Sequence, residues 1–190
     1  FQSTASFTAQ GPITLTTASG ETVRALERMA LTSVTPAAGG TIAVTSAGTV
    51  DLGATILTLN ARDDNADFFG DSTGGDITVT AAGGTIVAGG IDADVTASGG
   101  GGVNVRGGTI DVGVTTGGTI TIDKLAARAS GDALFDTASI PAIGGNAIGG
   151  TIRITGAGGT LSLGEVELTA QATGGISASD QGGSATGGDI

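Results

Sequence analysis

The nine residues Asp63-Asp64-Asn65-Ala66-Asp67-Phe68-Phe69-Gly70-Asp71 hold the densest group of reactive side chains in the sequence. Asp63, Asn65 and Asp67 place oxygen ligands at alternate positions, as a calcium loop does at its start, and Asp71 adds another carboxylate. An EF-hand loop then needs Gly at its sixth position and Glu at its twelfth, whereas Phe68 and Gly74 stand there. The GGxGxDxUx nonapeptide of calcium-binding β-rolls is missing as well. A solvated acidic loop is the better reading, with calcium at Asp63, Asn65, Asp67 and Asp71 as the alternative. No other cofactor is expected.

Two further pairs of carboxylates, Asp92/Asp94 and Glu165/Glu167, raise the alternative of a carbohydrate-active enzyme, which needs two acids converging on one bond. Both pairs fall at the same place in a repeat, two repeats apart, so they are expected roughly 10 Å from each other. With no His and no Cys, and Lys124 the one lysine, general-base, thiolate and transition-metal chemistry lose their usual residues. No catalytic residue is therefore assigned, and the chain is read as a non-enzyme. Asp111 and Arg153 are expected to form an exposed ion pair instead. The aromatic residues Phe68, Phe69 and Phe135 are the candidate partner contacts, against the simpler reading that they fold back over apolar surface.

The elements that must position these residues repeat. Five segments, beginning PITLTTASGETV, TIAVTSAGTV, DITVTAAGGTIV, TIDVGVTTGGTITI and TIRITGAGGTLSL, share one template of alternating aliphatic and polar residues. Their leading residues Ile13, Ile42, Ile77, Ile110 and Ile152 are spaced by 29, 35, 33 and 42 residues. Leu15, Val44, Val79, Val112 and Ile154 follow two positions on. A second strand is headed by Val23, Val50, Ile86, Ile120 and Leu161. A looser third is marked by Met29/Leu31, Leu57/Leu59, Ile91/Val95, Leu125 and Val166/Leu168. The pattern predicts an all-β fold: a parallel β-helix, or β-solenoid, of about five turns with three short strands each.

The pairs Gly39-Gly40, Gly74-Gly75, Gly107-Gly108 and Gly149-Gly150 precede the first strand in phase, and are expected to be corners at positive φ. The unequal segments Asn60–Thr73, Thr96–Arg106, Arg128–Ile148 and Thr169–Thr186 are expected to leave one corner as loops and to carry any specific contact. Residues 1–190 form one solenoid segment. Because Gly187-Gly188-Asp189-Ile190 repeats Gly74-Gly75-Asp76-Ile77, the segment is expected to be an excerpt of a longer array.

Composition narrows the function. Among 190 residues there are 37 Gly, 5 Phe, no Trp and no Tyr, and the net charge is −11. Such a charge opposes nucleic acid and anionic lipid, and no stretch reads as a membrane span. A threonine ladder at Thr16, Thr45 and Thr80 is broken by Gly113, which argues against ice binding. The GG[TD]I and AGGT[IL] repeats in a Cys-free, acidic, Gly/Ala/Thr-rich chain resemble the shafts of filamentous-haemagglutinin-like adhesins and autotransporter passengers, from about Ile13 to Ile190. The resemblance implies a right-handed β-helix, export through an outer-membrane barrel, and secretion or display on a bacterial surface. It implies a structural or adhesive role, in adhesion, a surface filament or a biofilm matrix. The partner would be a protein or glycan of a host or neighbouring cell, or another copy. A calcium-stabilised extracellular repeat protein is a further alternative.

Overall fold

The computed structural model describes residues 5–25, 28–35, 38–64, 70–100, 103–133, 144–175 and 182–190. Among them there is no helix. The chain is a parallel β-helix, in which each strand pairs in register with its equivalent one turn on.

The first sheet stacks Ile13–Thr17, Thr41–Ser46, Asp76–Ala81, Thr109–Val114 and Thr151–Gly156. Its register puts Ile13, Ile42, Ile77, Ile110 and Ile152 in one column, as the repeat predicts. The three central isoleucines are fully buried. Each contributes about 1.5–3 kcal/mol of transfer free energy. The second column, Leu15, Val44, Val79, Val112 and Ile154, stacks in the same way.

Second and third strands belong to one larger sheet. In the first two turns they are separate: Thr22–Arg24 and Met29–Thr35, then Thr49–Asp51 and Ile56–Asn60. In the last three turns they fuse into the ten-residue strands Thr85–Asp94, Thr119–Arg128 and Thr160–Thr169. Counted on these two sheets alone, the first two turns each have three separate strands and the last three have two. The expected second column of Val23, Val50, Ile86, Ile120 and Leu161 is confirmed by register. In the third column the residue equivalent to Leu59 is Ala93 rather than Val95. A further strand, Ala5–Ala9, pairs with Met29–Thr35 ahead of the first turn.

The glycine pairs act by closeness, not by positive φ. Among the described residues the left-handed glycines are Gly20, Gly53, Gly83, Gly117 and Gly158, all in turns that follow first or second strands. At Gly75 a Cβ would collide with the carbonyl oxygen of Gly40, one turn below. That same carbonyl accepts the Asp76 N–H at 3.0 Å, so backbone lies directly on backbone at this corner.

Candidate functional site

The four unequal segments are not loops throughout. Each contains two short strands. Asp63–Asp64, Ala97–Gly99, Gly131–Ala133 and Ala172–Thr173 stack as one sheet. Ser72–Thr73, Val105–Arg106, Ala147–Ile148 and Ala185–Thr186 stack as another. The two sheets enclose their own narrow core of Ala97, Val103, Val105, Ala133 and Ala147. Small residues are needed because the sheets lie so close: a Cβ on Gly99 of one sheet would come within 3.1 Å of the Val105 side chain of the other. The result is a thin fin standing off the main coil. It starts at the second turn, because in the first turn Met29–Thr35 folds straight back on Ala38–Gly39 as an antiparallel pair.

The fin separates the residues expected to act together. Asp63 is buried at 4% exposure and accepts a hydrogen bond from the Ser72 hydroxyl at 2.8 Å. Asp71 is exposed, and its Oδ1 accepts the Asn104 backbone N–H at 2.9 Å. Asn65 and Asp67 of the calcium alternative, and the candidate contacts Phe68, Phe69 and Phe135, lie outside the described residues. No group of three or more acidic, His or Cys side chains able to hold a metal occurs among the described residues.

A polar ladder runs along the outer edge of the fin. Asn104 Nδ2 donates to Asp71 Oδ1 at 3.2 Å, and Asn146 Nδ2 donates to Asn104 Oδ1 at 3.2 Å. The Ser184 hydroxyl and backbone N–H then donate to Asn146 Oδ1 at 2.9 and 3.0 Å. Each member immediately precedes a fin strand. That shared offset from Ser72, Val105, Ala147 and Ala185 is the signal by which the sequence could have revealed it.

The acid pairs of the enzyme alternative are engaged by cations of adjacent turns. Arg128 Nη1 lies 2.8 Å from Asp92 Oδ1, and Arg62 Nη1 lies 3.7 Å from Asp94 Oδ2. Lys124 Nζ lies 3.1 Å from Glu165 and 4.0 Å from Glu167. Lys124 and Arg128 thus occupy the turn between the two acid pairs. Asp111 and Arg153 are register partners, but no ion pair joins them. Arg153 is exposed and Asp111 only partly covered, and a pair at such a position gains little.

The broken threonine ladder of the first sheet has an unbroken counterpart on the second strands. Thr22, Thr49, Thr85, Thr119 and Thr160 occupy one column. The outward column beside it holds Arg24, Asp51, Val87, Thr121 and Ser162, so the threonines form a single rank. Among the described residues no helix is long and apolar enough to cross a membrane. Comparison of the chain with protein-family models, with curated proteins and with solved structures gave no match.

Proposed function

We propose that this chain is a stiff shaft of a secreted or surface-displayed bacterial repeat protein, with its specific contacts on the four unequal segments. The isoleucine column running through all five turns supports the reading, because a core without a break leaves no hinge along the axis. The unequal lengths of the four segments that carry the fin strands add to it, since length variation is tolerated in surface connections. Adhesion to a protein or glycan of another cell, and assembly with copies of itself into a filament or matrix, are the roles such a body serves.

Beads coated with the chain are the test. Attachment to epithelial or bacterial cells, or clumping of the beads, is expected, and should be lost on deleting residues 134–143 while the β-type circular dichroism persists. Coated beads that neither attach nor clump would sink the adhesive role. Rapid proteolysis within the main coil would sink the shaft.

A further inference from the structure

A cleft of about 780 Å³ opens on the outside of the coil, across the first three turns. Its origin lies in the register. Val50 aligns with Ile86 and Leu57 with Ile91, so the second turn uses two more residues than the third between the same two columns. The surplus becomes a tight turn at Leu52–Thr55, closed by the Thr55 N–H donating to the Leu52 carbonyl at 2.9 Å, with Gly53 at φ 52°. Where later turns run straight through, the wall here is indented.

The lining is mixed. Arg24, Arg28, Asp51, Asp92, Thr55 and Ile56 all face it. Arg24 is held by Asp51 through Nε at 3.3 Å. Arg28 differs from the other cations on this sheet. Arg24, Arg62, Lys124 and Arg128 each meet a carboxylate of an adjacent turn. Arg28 precedes Met29, whose register partner is Leu57, so Ile56 and then Gly90 stand above it in the places where a carboxylate would pair with it. Among the described residues it has no ion-pair partner. Thr55 is buried at 7%.

We infer that this cleft binds a carboxylate-bearing saccharide of the uronate type. A carboxylate matches the two-pronged donor geometry of Arg28, with Arg24 alongside. Asp51, Asp92 and Thr55 are partners for ring hydroxyls, and the exposed Ile56 gives a C–H face of the ring an apolar contact. The volume is that of an ordinary small-ligand site. The net charge of −11 does not prevent this at physiological salt, where exposed charges beyond about 8 Å are screened. Such a site lies on the coil rather than the fin, so it would work whether or not the shaft reading holds.

Calorimetric titration of the whole chain with trigalacturonate, maltotriose and acetate tests it. Saturable binding of trigalacturonate with Kd of about 0.1–1 mM is expected, with maltotriose and acetate binding at least tenfold more weakly. Arg28→Gln should weaken trigalacturonate about tenfold or more, Arg28→Lys by less, and Arg153→Gln, on the first sheet, not at all. Arg28 is exposed, so the fold should survive each change, as circular dichroism will report. No saturation by about 10 mM overturns the inference. Equal binding of maltotriose overturns the carboxylate, equal binding of acetate overturns the saccharide, and an unchanged Arg28→Gln variant overturns the site.

Discussion

Arg128 bonds to Asp92 at 2.8 Å although its partner in the strand register is Asp94. The diagonal reach leaves Asp94 to Arg62 of the preceding turn, so that one turn's two aspartates are tied to the turns on both sides. Both groups of the Arg128–Asp92 pair are more than two-fifths exposed, at 42% and 45%, which limits its worth to under about 1 kcal/mol. Reversal costs more than removal. Arg128→Glu should lower the unfolding midpoint further than Arg128→Ala, with the difference shrinking in 1 M salt, where the screening length falls to about 3 Å. Equal midpoints for the two variants at low salt would show the pair to be inert.

Core depth should grade the isoleucine column. Ile110→Ala, at a fully buried position, is expected to cost about 2–5 kcal/mol, and Ile110→Val about 0.5–1.5 kcal/mol. Ile13→Ala, at a half-buried position beneath only one neighbouring turn, should cost less than Ile110→Ala. Denaturant midpoints with unchanged slopes would give the comparison. A cost at Ile13 equal to that at Ile110 would contradict the stacking order.

The two glycine classes separate under substitution by alanine. Gly75→Ala drives a Cβ into the Gly40 carbonyl and must push the backbones of adjacent turns apart, so it should destabilise strongly or prevent folding. Gly53→Ala meets nothing within 4 Å and bears only the strain of its φ of 52°, about 1–2 kcal/mol. Soluble yield and thermal midpoint should therefore rank Gly53→Ala well above Gly75→Ala.

Asp63 occupies a fin column filled in the next two turns by Ala97 and Gly131. Asp63→Ala leaves the Ser72 hydroxyl buried without its acceptor, at a cost of about 1–3 kcal/mol. Adding Ser72→Ala should recover most of that, since Val105 and Ala147 stand at the equivalent places. A calcium-dependent rise in midpoint that disappears in Asp63→Ala, and that chelator reverses, would instead favour the calcium alternative for this segment.

The main coil was legible because its signal is redundant: five isoleucines, four of them two residues after a glycine pair, fix both the strand and its phase. The fin was not. Its strands are two or three residues long and drawn mostly from Ala, Gly, Ser and Asp, too short for a period and nearly without the aliphatic residues that mark a buried face. Hence Ala97–Gly99 and Gly131–Ala133 read as loop. The glycine pairs were located but misassigned, since a residue kept small for φ and one kept small for clearance look alike in a single sequence. The cleft turned on a difference of two residues between Val50 and Leu57, which spacing alone presents as noise. Of the candidate site, Asp63 and Asp71 were expected in a solvated loop, whereas Asp63 is buried in a short strand and only Asp71 is exposed.

The charges on the third strands carry an arithmetic of their own. Arg62 follows the second turn's strand, Asp92 and Asp94 mark the third, Lys124 and Arg128 the fourth, Glu165 and Glu167 the fifth. Among these residues the sign alternates from the second turn to the fifth; Arg28 of the first turn and Asp123, beside Lys124 on the fourth, stand outside the pattern. Duplicating a single turn would set anion against anion or cation against cation, which is unfavourable between facing strands. Duplicating two turns keeps every neighbour opposite. Two turns, rather than one, are thus the unit whose duplication would preserve these particular pairings.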